Sequence, residues 1–158
     1  MVQTQIRKLD GEGLRNLNAM LTDAYRKIKE LERSIPDEIS RTLAFFIPTS
    51  DITVGTNKTY EIYAPVDLTI VKVYIHCKVS PGSGKTITVD VNKNGVTIFT
   101  TQGNRPSISG DVKAGVSGVP DITSLVKNDV ITVDVDVATS GHSATDMTVQ
   151  VRCKQIGE

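Results

Sequence analysis

The sequence predicts a mainly β protein: an antiparallel β-sandwich or jelly roll preceded by a short N-terminal coiled-coil α-helix. Near the N-terminus, apolar residues recur at alternating intervals of three and four, which is the period of a coiled coil. From Leu43 onward they recur every second residue, which is typical of strands with one buried and one solvated face. We therefore expect two parts, an attachment segment with the helix at 1–42 and the sandwich at 43–158.

The apolar stripe of the helix is the clearest periodic signal. Residues 1–13 are polar and are expected to form a flexible lead, and Pro36 is expected to end the helix, because a proline ring clashes with the preceding turn. Three heptads are close to the shortest helix that persists unsupported in water. The predicted oligomerisation residues are Leu14, Leu21, Ile28 and Ile35 at the a positions and Leu17, Ala24 and Leu31 at the d positions.

The residues beside the stripe favour association between copies of the chain. Lys27 at g and Glu32 at e are spaced to pair between parallel helices. Met20 and Tyr25 widen the apolar face, which favours three helices, whereas isoleucine at a with leucine at d favours two. The alternative is a single amphipathic helix that lies on its own sandwich. The narrow a/d stripe favours the intermolecular coiled coil, with a trimer expected.

Eight or nine strands are expected in the second part, with no helical pattern between them, as in a sandwich or jelly roll. Shorter candidates lie at 43–47, 52–54, 59–64, 96–100 and 112–116. The long alternating runs place inward Val71, Val73, Ile75, Cys77 and Val79; Ile87, Val89 and Val91; Ile131, Val133, Val135 and Val137; and Met147, Val149, Val151 and Cys153.

Turn residues predict the connections between these strands. Asn94-Gly95 is typical of a type I′ hairpin, in which both central residues need positive φ. The stretch 80–84 is expected to be a second hairpin loop. We expect 103–118, rich in Gly and Ser, to be a long loop or edge excursion, and 121–128 to form a bend or a turn of helix.

Composition limits the classes of function. The 18 Lys and Arg residues balance 18 Asp and Glu residues, which argues against a broad grip on nucleic acid. Aromatic residues make up 4% and Trp is absent, so stacking platforms for sugars or single strands are disfavoured. Cys77 and Cys153 are expected to be buried thiols. Neither a secretory signal nor a run of about 18 apolar residues is evident, so we expect a soluble protein without membrane insertion.

Two glycine-containing motifs resemble ligand sites only in part. Gly84-Lys85-Thr86 matches the end of a phosphate-binding loop, but Val79 stands where the first glycine is needed and a strand is expected to follow. Asp90, Asn92, Asn94 and Gly95 match the opening of a calcium-binding EF-hand loop, but Thr101 replaces its bidentate glutamate. A hairpin explains both stretches better.

Catalytic and metal sites are also disfavoured. Gly141-His142-Ser143 with Asp146 holds the residue types of a hydrolase triad, but neighbours in one loop cannot form that relay alone. Two scattered histidines do not suit a zinc site. Asp134 and Asp136 share a wet strand face, where they are expected to keep the sheet soluble; a divalent ion held between chains is the alternative. We expect no enzyme, no catalytic residue, no metal and no cofactor.

One part of the chain resembles a known module. The stretch Asp90–Gly95 (DVNKNG), followed by IFTT at 98–101 and RP at 105–106, resembles a module common in structural proteins of tailed bacteriophages. The resemblance spans residues 60–155, and the stretches 68–73 and 129–136 within that range also contribute to it. The module is similar to tips and decorations on phage heads and tails, which are usually homotrimeric.

The resemblance implies a virion component without catalysis, made in the cytoplasm of the bacterial host. Its expected partners are its own copies and other proteins of the capsid, neck or tail, with the host surface as a further contact and no nucleic acid. The expected product is a homotrimeric spike, head fibre or capsid decoration protein. The alternative is a tail-fibre or receptor-binding tip that contacts host-surface glycan, for which Tyr60, Tyr63 and Tyr74 are the candidate residues.

Overall fold

The computed structural model describes residues 11–34 and 38–156. The chain divides into two compact units, residues 1–37 and residues 38–158. The first contains a helix and the second contains two antiparallel sheets, so the predicted mainly β fold with an N-terminal helix is confirmed. No helix within the described residues is both long and apolar enough to cross a membrane.

The helix, α1, spans Gly11–Ser34. It begins three residues before Leu14 and ends two residues before Pro36, close to the predicted stop. Its interior is rich in strong helix formers, and Glu12 places a negative charge in the first turn, where the helix dipole favours it. Residues 11–13, predicted to belong to the flexible lead, instead form the start of α1. Residues 1–10 and Ile35, the last predicted member of the stripe, lie outside the described residues.

The described strands of the second unit form two five-stranded sheets. In chain order they are β1 (Glu38–Ile47), β2 (Ile62–Tyr63), β3 (Leu68–Val79), β4 (Gly82–Lys93), β5 (Val96–Thr97), β6 (Ser107–Gly110), β7 (Ala114–Val116), β8 (Ser124–Leu125), β9 (Val130–Ala138) and β10 (Thr145–Ile156).

The order of the strands is that of a jelly roll. Sheet 1 runs β1-β10-β3, with β7 and β8 both paired to the far edge of β3. Sheet 2 runs β2-β9-β4, with β5 and β6 both paired to the far edge of β4. Apart from the short neighbours β4–β5–β6 and β7–β8, successive strands alternate between the sheets, which is the interleaved arrangement of two Greek keys.

The core lies between the two sheets and is almost entirely aliphatic. The buried side chains of the second unit form one cluster, so this unit has a core of its own. Burying one such side chain stabilises the fold by about 1.5–3 kcal/mol. The largest fully buried side chains are Phe45, Phe99, Ile47, Ile52, Ile70, Ile75, Ile87, Ile98, Ile108, Leu125, Ile131 and Met147.

Several short strands differ from their predicted bounds. The first strand begins at Glu38, five residues before Leu43. The predicted strand at 52–54 is absent from the described structure, because a 3-10 turn at Thr49–Asp51 leads into bends there. The stretch 103–118 contains β6 and β7 rather than a long loop, and 121–128 contains β8 rather than a turn of helix.

The hairpin predicted at 80–84 is wrong. β3 belongs to sheet 1 and β4 to sheet 2, so this connection crosses from one sheet to the other. Gly82 and Gly84 both have positive φ, 95° and 69°, which lets the chain turn the corner. Local spacing predicted both strands, but it carries no information about which strands pair.

Two register shifts change which side chains face inward. The shift between Arg152 and Cys153 makes Leu68 and Ile70 buried along with Val73, and it leaves Val71 half-buried instead of inward. A second shift, between Thr88 and Val89, accompanies a 39% exposure of Val137, which was predicted to be buried. Strict alternation fails wherever such a bulge inserts a residue.

Candidate association surface

The apolar stripe of α1 is the surface that the sequence selects for association. Within the single chain its leucine and isoleucine side chains are exposed, from 42% for Leu17 to 65% for Leu31. Met20 and Tyr25 beside it are 70% and 64% exposed. The helix aligns six of the seven predicted residues on one face: Leu14, Leu17, Leu21, Ala24, Ile28 and Leu31.

Several large apolar side chains are exposed in a row along α1. Single exposed apolar residues are ordinary, but contiguous patches mark sites of association. Complete burial of each leucine or isoleucine contributes about 1.5–3 kcal/mol. The helix has 24 residues, and in proteins most helix stability comes from packing of an apolar face rather than from intrinsic propensity.

The charges beside the stripe are partly satisfied within the chain. Asp23 Oδ1 accepts a hydrogen bond from Arg26 Nη2, and Asp23 Oδ2 lies 3.2 Å from Lys27 Nζ. The bonds from Arg26 and then Lys27 lower the pKa of Asp23. The predicted interchain pair between Lys27 and Glu32 therefore has an intrachain competitor, and it stays a prediction because the Glu32 side chain is outside the described residues.

The Gly84-Lys85-Thr86 motif lies inside β4 instead of a loop, which corrects the predicted hairpin placement. Lys85 Nζ donates to Ser140 O at 2.7 Å, and Thr86 N donates to Thr139 Oγ1 at 3.1 Å. The residues after Thr86 continue the strand, as the sequence predicted. A phosphate loop requires a helix N-terminus at this point.

The DVNKNG stretch forms the predicted type I′ turn. Asn94 and Gly95 have φ of 51° and 79°, and Lys93 pairs with Val96 across the turn. The Asn94 side chain extends this turn to β9: its Oδ1 accepts from Val130 N at 2.8 Å, and its Nδ2 donates to Asp129 Oδ1 at 2.7 Å. These residues serve the hairpin rather than a calcium loop.

The carboxylate of Asp129 bonds to several residues around this turn, and the sequence patterns did not predict this role. Its Oδ2 accepts from Val126 N at 2.7 Å and lies 2.9 Å from Lys93 Nζ. Burial by itself would raise the pKa of Asp129, but the hydrogen bonds from Asn94, Lys93 and Val126 outweigh burial and hold that pKa below its ordinary value.

The outer face of sheet 2 is not the simple wet face that the sequence predicted. Asp90 and Asn92 are buried, and Asp90 lies directly across from Asp134. Arg105 forms an ion pair with Asp136, and Asn92 Nδ2 donates to Asp134 Oδ2 at 2.8 Å. The acidic pair Asp134 and Asp136 is thus held by partners within the chain.

Asp90 differs from Asp129 in its electrostatics. Burial raises the pKa of Asp90, and the hydrogen bonds to its Oδ1 from Thr97 Oγ1 and Val91 N, both 2.8 Å, only partly oppose that effect. Thr97 and Arg105, which follow the β4–β5 turn, both interact with this carboxyl group. Alternation within β4 could not reveal these interactions, because they come from another part of the chain.

His142, Ser143 and Asp146, the residues of the triad-like motif, each hydrogen-bond to a different partner. His142 Nε2 lies 2.9 Å from Ile52 O, while Ser143 Oγ donates to Ser80 O at 2.8 Å. Asp146 Oδ1 accepts from Thr49 Oγ1 at 2.9 Å. Their side chains tie neighbouring loops together and do not form a relay of the hydrolase type.

The two cysteines are buried and free, as predicted for small apolar side chains. Cys77 pairs with Met147 and Cys153 with Ile70, so the thiols are six residues apart along β10, roughly 20 Å at about 3.3 Å per residue. A disulfide needs Cα atoms within about 7 Å. Within 11–34 and 38–156, no three His, Cys, Asp or Glu side chains are grouped to hold a metal ion.

The three candidate tyrosines do not form one sugar-binding platform. Tyr60 packs against Phe45, with ring centres 6.2 Å apart, and Tyr63 Oη donates to Glu61 Oε2. On the outer face of sheet 1, Arg152 lies over the ring of Tyr74 at 5.0 Å. Each ring therefore has a separate neighbour.

Solved structures with a similar fold include phage capsids. The capsid asymmetric unit of cyanophage Pam1 has a TM-score of 0.45 and 12% identity over 74% of this chain and 85% of that one. The acid-stable capsid of Helicobacter pylori bacteriophage KHP30 gives 0.44 and 13% over 76% and 93%. The capsid of Ralstonia phage GP4 gives 0.46 and 12% over 76% and 86%.

These likenesses carry no conclusion about function, since all three TM-scores are below 0.5 and the identities are 12–13%. A comparably weak likeness links the chain to the catalytic unit of a glucanase from Streptomyces thermodiastaticus, with a TM-score of 0.38. No protein-family model matches the chain, and no curated protein matches its sequence.

Proposed function

We propose that the chain is a non-enzymatic structural protein of a tailed-phage virion. It forms a homotrimeric spike, head fibre or capsid decoration protein, joined through α1, that displays the jelly roll. Its partners are its own copies and proteins of the capsid, neck or tail. The observation that carries the proposal is the exposed a/d stripe of α1 placed just before a jelly roll with a core of its own. The sequence resemblance to phage head and tail modules supports the virion location.

Each part has a distinct task in this proposal. The stripe sets the number of copies, because a and d side chains of one helix fill the spaces between those of its neighbours. Only residues 35–37 separate Ser34 from Glu38, a span of at most about 14 Å. Parallel association of the helices therefore gathers the first residues of the β1 strands, and several jelly rolls are displayed together.

Light scattering tests the stripe in the full-length chain. We expect a mass of three times 17.1 kDa. The double variant Leu21→Asp/Ile28→Asp should give 17.1 kDa, because it would bury charges in the seam. The matched control Asn16→Asp/Ala19→Asp adds the same charge away from the stripe and should keep the trimer. If the wild-type chain is a monomer at all concentrations, the coiled coil is contradicted. A mass of twice 17.1 kDa would contradict the trimer but not the coiled coil.

A second candidate function is a tail-fibre or receptor-binding tip that contacts host-surface glycan. The tyrosines do not favour it, because each already packs or hydrogen-bonds with its own neighbour. The observation that favours it is the cross-strand pair of basic residues Arg152 and Lys72, together with a cleft on the same sheet lined by Asp67, Thr69 and Ser124. Direct binding of an acidic oligosaccharide, measured by calorimetry, tests this candidate.

A further inference from the structure

Two basic side chains on the outer face of sheet 1 lie side by side without an acidic partner. Arg152 on β10 and Lys72 on β3 are direct cross-strand neighbours. Neither forms an ion pair with a carboxylate in the described part of the chain, although Lys78 on the same face pairs with Asp146 at 3.8 Å. Like charges directly opposite each other destabilise a sheet. Because the Arg152 and Lys72 pair lowers the stability of the sheet, its presence indicates a role in binding rather than in folding.

A β-bulge creates this pair. Leu68 and Ile70 are buried, so strict alternation along β3 would turn Lys72 inward. The register shift opposite Arg152 and Cys153 places Lys72 beside Arg152 instead. Bulges of this kind often re-aim a side chain at a functional position.

Arg152 is held in position by a ring and not by a carboxylate. Its guanidinium lies 5.0 Å from the centre of the Tyr74 ring. Such a contact orients the side chain and leaves its charge uncompensated. The face of Tyr74 is covered at the same time, so this ring does not offer an open surface for a nucleotide base.

A cleft of about 190 Å³ lies on the same two strands, lined by Lys154, two residues beyond Arg152, and by Thr69, three residues before Lys72. Lys154, Thr69 and Ser124 line it and are cross-strand neighbours on β10, β3 and β8. Buried Leu68 and Leu125 also line it, and Asp67 contributes a carboxylate whose Oδ1 accepts from Lys127 N at 2.7 Å. Hydroxyl and carboxylate groups at the wall of a cleft suit the hydroxyl groups of a sugar.

We propose that this part of sheet 1 binds an acidic polysaccharide. Arg152 and Lys72 bind its carboxylate groups, and Asp67, Thr69 and Ser124 bind the ring hydroxyl groups in the cleft. This proposal rests on the second candidate function, the receptor-binding tip, and it does not require the chain to form a trimer. Asp67 favours a sugar, because its oxygens accept hydrogen bonds from hydroxyl groups.

Titration calorimetry of the full-length chain with oligogalacturonate tests the site. We expect binding that weakens as salt rises. Arg152→Gln and Lys72→Gln should each weaken it about tenfold, the loss expected for one charge-assisted hydrogen bond. The control Lys78→Gln, which removes a paired charge from the same face, should change the affinity less than about twofold, as expected of an exposed ion pair.

Asp67→Asn separates a sugar site from a general attraction between charges. The variant keeps an acceptor for Lys127 N and removes a negative charge, so a purely electrostatic surface would bind oligogalacturonate more tightly. The proposed site would bind it more weakly, because the hydroxyl groups lose a charged acceptor.

Besides tighter binding by Asp67→Asn, four results would overturn the proposal. They are no binding of oligogalacturonate, unchanged affinity of Arg152→Gln and Lys72→Gln, tighter binding of oligothymidylate than of oligogalacturonate, and a change of mass on Arg152→Gln, which would assign the face to a second copy. The Leu21→Asp/Ile28→Asp variant should still bind the sugar. Failure of the coiled coil therefore leaves this result intact, and failure of sugar binding leaves the trimer intact.

Discussion

The carboxylate of Asp129 joins the β4–β5 turn to the start of β9, and its replacement by asparagine is expected to destabilise the jelly roll. Asp129 Oδ1 accepts from Asn94, while Oδ2 is bonded to Val126 N and Lys93. Asparagine has one acceptor oxygen, so one side of this arrangement is lost. A hydrogen bond to a charged group contributes about 1.5–3 kcal/mol. We expect Asp129→Asn to lower the free energy of unfolding by about 3 kcal/mol and Tm by roughly 10 °C.

Asp90→Asn is the matched control within the same unit. Asp90 receives both of its hydrogen bonds, from Thr97 and Val91, on one oxygen, which asparagine retains. The charge that is removed is one that burial disfavours, as the raised pKa of Asp90 indicates. We therefore expect Asp90→Asn to keep or increase the free energy of unfolding at pH 7, within about 1 kcal/mol of the wild type.

The two variants should also respond to pH in opposite directions. The pKa of Asp129 is lowered by folding, so its contribution is present above about pH 4 and is lost as the pH falls through the folded value. The pKa of Asp90 is raised, so its ionisation costs stability as the pH rises through the folded value, and the advantage of Asp90→Asn disappears below about pH 4. Urea unfolding between about pH 3 and 7 measures both. Equal losses in the two variants at pH 7 would refute this reasoning.

Three further predictions concern the fold. A chain truncated to begin at Glu38 should unfold cooperatively with β-type circular dichroism and remain monomeric; aggregation would show that α1 completes the core. This start replaces the predicted boundary at 43, which would remove half of β1. Lys85→Ala should change stability by less than about 1 kcal/mol, with no ATP binding by calorimetry; micromolar binding that depends on Lys85 would contradict the strand assignment. Burial raises the pKa of the Cys77 and Cys153 thiols to about 11, so a thiol reagent should label them only after unfolding; labelling of the native chain at pH 8 would contradict their burial.

Sequence patterns predicted features that depend on neighbouring residues. The Asn94-Gly95 turn was correct because its positive φ values are a local requirement. The long strands were correct because alternation is local as well. The 80–84 connection was wrong because pairing joins distant strands, and Val71 was misplaced because the bulge is set by the partner strand.

The candidate sites likewise divide into features set by neighbouring residues, which the sequence predicts, and features set by distant residues, which it does not. The a/d spacing of α1 predicted a stripe that the helix aligns on one face, whereas the proposed number of copies depends on contacts with other chains. A net charge of zero concealed the Arg152 and Lys72 pair, because a sum over the chain does not report which charges are neighbours. Asp129 has no periodic signal at all; its role depends on Asn94 and Lys93, which β4 brings to it.

The position of β10 within sheet 1 has a consequence for synthesis. β10 is the last strand in chain order, yet it lies between β1 and β3, the two strands whose pairing it completes. A nascent chain therefore presents α1 early and cannot close sheet 1 until residues 145–156 have left the ribosome. In the proposed coiled coil, the helices of neighbouring nascent chains would be able to associate before sheet 1 closes. A chain truncated before Thr145 would then join intact subunits through α1 without being able to complete sheet 1, so we expect such fragments to inhibit assembly.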